Sequence, residues 1–577
     1  MYTLGLNAYH GDSSACIYHF NELIVATEEE RIRRIKHWAG LPTEAVKFCL
    51  DEAGITLADV DVIAISRDPK AKLLDKAWYA LRKGVKWSSI LDRAKNSLNV
   101  GAFKADLAQA FGYAESDLKA RIVYAEHHRS HMASAYFVAP FEESAILSID
   151  GMGDFSSTMR GRSRNGKIEI IDSVSYPHSL GIFYTAFTQL LGFPHYGDEY
   201  KVMGLAPYGQ PTELDKVAEV IILKPNGLFE LDPRFFRHFK EGVNMDWQGG
   251  SPHVDVLYTP AMEALFGAPR GKDEPMSDYH RNLATSVQRM AEKVIFHLAE
   301  GLYKKTGLKN LCLAGGVAQN SVANGKLIAN TSFEKLFVPP AGHDAGTSIG
   351  AALYALHQVG DQPRAPFRHQ AYTGIRFSNE EVEAYLQSRG IEYQRYSDDE
   401  LFAVVVDALM QGGVIGWFQG RAEFGPRALG NRSIIVDPSR PDAKDLLNSK
   451  IKRRESFRPF APSILKEAVA DYFEQTDDVP FMEKVFLIRP EKRAEIPAVT
   501  HVDGTGRLQT VDAQDNPRYH RLIKEFGEKS GVPILLNTSF NENEPIVNTP
   551  EHALECFLRT QMDMLVVENV VIRRKNA

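Results

Sequence analysis

The chain opens with short apolar runs separated by polar turns. Tyr2–Leu6, Ala15–Tyr18 and Leu23–Thr27 are apolar, and the polar, glycine-containing stretch His10–Ser14 and the turn-like Asn21 lie between them. This pattern predicts three sequential strands. Pro42 starts a helical pattern that runs through Leu50, and Val60–Ile65 is strand-like again. A second copy of the opening pattern is predicted from Ser144. Leu4–Tyr18 (LGLNAYHGDSSACIY) and Leu147–Arg160 (LSIDGMGDFSSTMR) both read as an apolar strand, a glycine–aspartate turn with two serines, and a second strand. Two such turns can aim backbone N–H groups at phosphate from opposite sides, as a two-lobed nucleotide-binding fold requires.

Between the copies, Lys70–Arg121 has a helical pattern and 11 Lys/Arg against 5 Asp/Glu. It reads as a helical insertion, either a solvated face or a cap over an anionic ligand. A helix from about Ser286 to Thr306 leads into strand Leu311–Leu313, the turn AGGVAQN (Ala314–Asn320), strand Leu336–Val338 and the small-residue helix start HDAGTSIGAALYAL (His343–Leu356). Gln358–Arg368, with two prolines, reads as a linker to a further α/β segment.

Composition narrows the class. Hydrophobic residues make up 44% of the 577, which excludes disorder and fibrous repeats. The net charge of −7 gives no chain-wide footprint for nucleic acid. Cys16, Cys49, Cys312 and Cys556 form no CxxC pair, so neither a disulfide framework nor a zinc knuckle is expected. No apolar run reaches membrane-spanning length, and Met1 leads into a strand and not a secretory leader. A cytoplasmic α/β enzyme is the expectation.

Four constellations carry candidate chemistry. HHRSH places His127 and His131 four residues apart, on one face of a helix, while His128 points elsewhere. With Asp150 after an apolar strand and Asp344 at a helix start, they make a mixed N/O set for iron, zinc or manganese. In AGGVAQN, Gly315 and Gly316 allow close backbone approach and Asn320 can bond a ribose or base; a plain strand-to-helix turn reads equally well. His10 and Asp12 in HGDSSA are either a general base and its neighbour or turn residues. The fourth constellation is cationic. From Arg421 to Arg458 there are ten Lys/Arg and five Asp/Glu, among Gly-Pro and Arg-Pro-Phe turns. Guanidinium groups held in stiff turns suit a small phosphorylated ligand better than a nucleic-acid surface. Phe424, Phe457 and Phe460 read as shaping that pocket, and LLNTSFN (Leu535–Asn541) as a source of hydroxyl and amide contacts.

The motifs HGDSSA, EEERIRRIKHW, HHRSH, SIDGMGD, DEYKVMGLAPYG, LAGGVAQN, HDAGTSIGAA, GRAEFGPRALGNRSI, KRRESFRPFAPSI and NTSFNENEPIV occur in this order from residue 10 to residue 547. Together they resemble the NodU/CmcH family of O-carbamoyltransferases. The resemblance implies an actin-like (ASKHA) N-terminal domain over residues 1–360, with the helical insertion at about 70–121, and a YrdC-like α/β domain over 361–577. It implies that carbamoyl phosphate and ATP form carbamoyl adenylate and pyrophosphate in the second domain. The carbamoyl group then passes to a hydroxyl of a natural product or sugar in the first, with release of AMP.

By the same resemblance, His127, His131, Asp150 and Asp344 would hold a divalent metal, with iron the expected ion. Gly315, Gly316 and Asn320 would touch the nucleotide. Arg427, Lys452, Arg458, Arg507 and Ser539 would grip carbamoyl phosphate or the adenylate. His10 or Asp12 would be the base, and which cation of Lys450–Arg454 meets phosphate stays open. Magnesium accompanying ATP and a homodimeric assembly also stay open, as does the acceptor. A sugar or acid kinase and a nucleotide-gated binding module are the competing readings; release of AMP and pyrophosphate, not ADP, separates the first from carbamoyl transfer.

Overall fold

A computed structural model of the chain describes residues 1–76, 79, 103–364 and 371–574. Its first sheet holds β1 (Tyr2–Asn7), β2 (Ser14–His19), β3 (Glu22–Glu28), β4 (Val62–Ile65) and β5 (Arg121–Tyr124), in the order β3-β2-β1-β4-β5. β1, β2 and β3 pair antiparallel, and β4 and β5 add in parallel. The second sheet repeats this plan. β6 (Ala145–Gly153), β7 (Ser156–Arg164) and β8 (Lys167–Ser175) pair antiparallel, while strands Asn310–Ala314 and Lys335–Phe337 add in parallel beside β6. This duplicated order makes the N-terminal part a two-lobed actin-like α/β fold. Each parallel pairing needs a crossover connection, so the site-bearing loops gather at matching strand ends of the two lobes.

The structure adjusts two sequence expectations. Arg121 is not the end of a helical insertion but the first residue of β5, so the insertion is the crossover from β4 to β5. Helix Phe103–Ala110 belongs to it; residues 77, 78 and 80–102, where much of its positive charge lies, fall outside the described residues. The long helix runs from Asp278 to Thr306 and so starts eight residues before Ser286. Ser277 caps it: its hydroxyl accepts the His280 N–H, while the Ser277 N–H donates to His280 Nδ1. Its first two turns are polar, which hides that start from a periodicity argument.

Residues 394–573 supply an eight-stranded mixed sheet. Its centre is formed by strands Ile415–Phe418, Arg432–Val436, Ile534–Ser539 and Ala461–Leu465, all buried except the intermediate Ser539. Helices Asp398–Met410, Pro517–Ser530 and Pro550–Arg559 contribute to one apolar core with this sheet, around Trp417, Ile435 and Leu536. Burying each such aliphatic side chain contributes about 1.5–3 kcal/mol. The core therefore fixes the strand ends that carry the cationic loops. The four cysteines are free and buried, and no described helix is long and apolar enough to cross a membrane.

Candidate active sites

The first site forms where the two lobes meet. Helix His127–Tyr136 is buried along almost its whole length, and the Glu126 carboxylate caps it by accepting the Arg129 N–H at 2.8 Å. One helical turn separates His127 from His131, so their Nε2 atoms face each other at 3.1 Å. Asp150, inside β6, brings Oδ2 to 3.0 Å from His127 Nε2 and 3.7 Å from His131 Nε2. Asp344, in the turn before helix Thr347–Leu353, brings Oδ1 to 3.2 Å from His131 Nε2 and 3.6 Å from His127 Nε2. Ligand atoms of all four buried residues lie within 4.8 Å of one another.

The donor set fits a divalent metal ion. At most one proton can lie between two facing Nε2 atoms, and Asp344 Oδ1 is buried without a hydrogen bond. A cation among two imidazoles and two carboxylates satisfies all four atoms. Outer partners are in place: Asp150 Oδ1 accepts the Gly316 N–H at 2.8 Å, and Asp344 Oδ2 sits 2.6 Å from His10 Nδ1. Burial alone would raise the Asp150 carboxyl, but its bonds to His127 and His131 outweigh that and hold it well below the carboxylate range. His128 turns away to Ser148 Oγ at 2.8 Å, and burial drives it down to about 3.

The other N-terminal candidates separate. Gly316 serves the Asp150 carboxylate. Asn320 caps helix Ser321–Leu327 through the Ala323 N–H and exchanges two hydrogen bonds of 3.0 Å with Gln288, which engages its oxygen twice and one of its two amide N–H groups. His10 leans on Asp344, whereas Asp12 pairs with His37, at 2.8 Å.

The second site is cationic. Burial lowers Arg507 well below the ordinary guanidinium value, and the charges of Arg427, Arg454 and Arg458 lower it further. Arg427 is brought down to about 10 and Arg454 to about 9, again chiefly by burial. Lys452 is buried too. Its ammonium donates to Ser539 O (2.5 Å), Asn541 O (2.8 Å) and Asn541 Oδ1 (2.7 Å), and lies 3.2 Å from Ser539 Oγ. Of the run Lys450–Arg454, Lys452 and Arg454 face inward, while Lys450 is exposed and the exposed Arg453 pairs with Glu542 at 3.2 Å. Arg421 and Arg432 lie elsewhere: the first pairs with Glu52, and the second is wholly buried among backbone carbonyls and stacked on Phe418. Phe424 and Phe460 are core residues, and Phe457 packs edge-on against Phe193.

A model of the family described as carbamoyltransferase N-terminus matches residues 2–353, and one described as carbamoyltransferase C-terminus matches residues 406–574. The chain belongs to the carbamoyltransferase family. It is accordingly an enzyme, a transferase. It is 41% identical to the uncharacterized protein sll1178 of Synechocystis, over 99% of this chain and 96% of the relative. To nodulation protein NolNO of Sinorhizobium fredii it is 38% identical, over 99% and 80%. To the 3'-hydroxymethylcephem-O-carbamoyltransferase of Amycolatopsis lactamdurans it is 29% identical, over 76% and 78%.

Sequence reasoning left several residues of this carbamoyltransferase without a role. The Arg458 guanidinium lies over the Tyr200 ring at 4.6 Å, Lys201 pairs with Glu455 at 3.5 Å, and Lys36 feels the charges of Arg458 and Lys201. Lys36, Tyr200 and Lys201 come from EEERIRRIKHW and DEYKVMGLAPYG, two motifs that carry the family resemblance and to which no chemistry had been assigned. Clustered charge within them was the available signal.

Proposed function

We propose that the enzyme is an ATP-dependent O-carbamoyltransferase with two half-sites, one in an actin-like domain over residues 1–360 and one in a YrdC-like domain over 361–577. Carbamoyl phosphate, ATP and water give carbamoyl adenylate, pyrophosphate and inorganic phosphate at the arginine cluster. The adenylate then gives its carbamoyl group to a hydroxyl of a small molecule at the histidine–aspartate cluster, and AMP leaves. The observation that carries this reading is the clustering of half-buried Arg507 with the half-buried Arg427, Arg454 and Arg458 as its charged neighbours. Such an array is stabilised by an anion at its centre, and bringing two polyanions to reacting distance demands such cations.

Arg427, Arg454, Arg458 and Arg507 would neutralise the phosphates. Lys452 would share its ammonium between Ser539, Asn541 and the ligand. At the other site His127, His131, Asp150 and Asp344 would hold the divalent metal, iron in our reading, which supplies a Lewis acid for a carbonyl or phosphate oxygen when bound. Gly315 and Gly316 would border the nucleotide by their backbone, and Asn320 would hold the following helix in place. The carbamoyl-accepting hydroxymethyl group in the name of the Amycolatopsis relative supports a small hydroxylated acceptor.

The test is pyrophosphate release by the purified chain. It is expected only when ATP and carbamoyl phosphate are both present, and to vanish in Arg458→Ala. ADP formation instead would favour a kinase.

A further inference from the structure

The segment after β3 carries a side-chain pair that the scheme above leaves unused. His37 Nδ1 lies 2.8 Å from Asp12 Oδ1, and Asp12 is buried. A neutral imidazole that donates Nδ1–H to a carboxylate keeps its lone pair on Nε2. Burial opposes the charged form, but Asp12 outweighs it and raises His37 to about 9, so the form with that lone pair gains as pH rises toward 9. Among the described residues no hydrogen bond reaches His37 Nε2, and the side chain is 32% exposed. Gly197, at φ 83°, packs close to Nε2, where a Cβ would come within 2.5 Å of that nitrogen, so no side chain from this position covers it. Tyr196 packs edge-on against the ring at 5.3 Å.

The pair borders the histidine–aspartate cluster. Asp12 lies two residues from His10, whose Nδ1 is 2.6 Å from Asp344 Oδ2, and the Tyr196 hydroxyl feels the charges of Asp344, Asp12 and Asp150 alike. His10 is placed differently. The carboxylate it leans on, Asp344, turns its other oxygen to His127 and His131, so His10 orients a candidate metal ligand. Asp12 stands apart from those four residues; with Glu30 it flanks His37, three donor groups within 4.8 Å of one another, and its negative charge can stabilise an imidazolium. The charged groups facing His37 are Asp12, Glu30, Lys36 and Glu199, while His343 and Asp344 face Asp12.

We propose that His37, oriented by Asp12, is the general base of carbamoyl transfer. This rests on the two-step reading above. The acceptor oxygen forms a bond to the carbamoyl carbon. Its proton passes to His37 Nε2. The bond between that carbon and the AMP phosphate oxygen breaks, and the electron pair leaves on AMP. His37 is thereby a catalytic residue and Asp12 a positioning residue.

The experiment uses the full chain with its metal, ATP, labelled carbamoyl phosphate, and glycerol as probe hydroxyl. In a single turnover, the decay of bound carbamoyl adenylate to AMP and glyceryl carbamate is followed by acid quench. His37→Asn keeps an amide that can donate to Asp12 but cannot take a proton; decay is expected to slow about 100-fold or more. In His37→Gly, added imidazole is expected to restore decay, with a dependence on the fraction of neutral imidazole. Decay in His37→Asn within about threefold of the unmodified chain overturns the proposal, and so does a loss in His37→Gly that imidazole leaves unrestored. If the unmodified chain forms no adenylate and no pyrophosphate, it is the two-step reading that falls.

Discussion

Arg507 sits where its own charge is disfavoured. Partial burial and three neighbouring arginines oppose it, and among the described residues its buried Nε has no hydrogen-bond partner. A binding site for anions carries this cost in the free protein and recovers it on binding. Arg507→Met is therefore expected to stabilise the free chain by about 1 kcal/mol or more while abolishing pyrophosphate release. Thermal unfolding with and without inorganic pyrophosphate checks this. The ligand should raise the midpoint of the unmodified chain and leave the variant's nearly unchanged. At the other site the residue-level expectation is a separation of steps. His127→Ala with His131→Ala removes both nitrogen donors, so the purified variant should hold no stoichiometric metal by elemental analysis. It should still release pyrophosphate, but form no carbamoylated product. Product formation by the metal-free variant would remove the metal assignment.

At the scale of elements, the feature that ties the loops together is the turn from Glu423 to Arg432. Glu423 Oε1 accepts the N–H groups of Leu429 (2.7 Å), Asn431 (2.8 Å) and Arg432 (3.2 Å), which folds the turn on itself. From outside, Glu28 at the end of β3 accepts the Gly425 N–H at 2.8 Å, and Arg31 donates to the Gly425 carbonyl at 2.6 Å. Glu28 and Arg31 also pair at 3.1 Å, both buried. Gly425 has φ 116°, and a Cβ there would stand 2.6 Å from the Pro340 carbonyl. Two residues on lies Arg427. Gly425→Ala is thus expected to cost about 1–3 kcal/mol of stability. Arg31→Met is expected to raise KM for carbamoyl phosphate several-fold with a smaller change in kcat, and Arg31→Lys to recover part of the loss. Steady-state pyrophosphate release measures both; an unchanged KM in Arg31→Met would show that the clamp does not position Arg427. Much of this scaffold was legible in the chain. Strands β1 to β3 follow apolar runs broken by polar turns, and His127 and His131 follow from helical spacing. The buried Glu28–Arg31 clamp was not legible, because it lies within a charge-dense run whose exposed and buried members look alike in sequence. Nor could the sequence say that Lys452 and Arg454 turn inward while Arg453 turns out, since a broken, irregular helix end has no fixed period.

Over the whole molecule, one short segment reaches both sites. Between Glu28 and His37 it clamps Gly425, donates from Arg34 to the carbonyls of Pro545 (2.5 Å) and Ile546 (2.7 Å), brings Lys36 into the field of Arg458, and pairs His37 with Asp12. The neighbouring residues 193–201 do likewise, with Phe193 against Phe457, Tyr200 under Arg458 and Tyr196 against His37. Sites that looked hundreds of residues apart in sequence are therefore joined through shared neighbours. Periodicity cannot reveal such a link, because it arises only when distant turns pack together. The consequence is chemical. In the proposed scheme the intermediate, carbamoyl adenylate, is an activated mixed anhydride, and making it in one place for use in another would gain from keeping water and stray nucleophiles away. If the seam formed by these segments shields the intermediate, hydroxylamine added to the reaction should intercept little of it in the unmodified chain. Arg34→Ala removes two charge-assisted hydrogen bonds across the seam, each contributing about 1.5–3 kcal/mol. It should raise the hydroxyurea formed per pyrophosphate released several-fold. Equal interception in both proteins would mean that the adenylate reaches solvent before transfer, and that the shared segment holds the two sites in register without enclosing what passes between them.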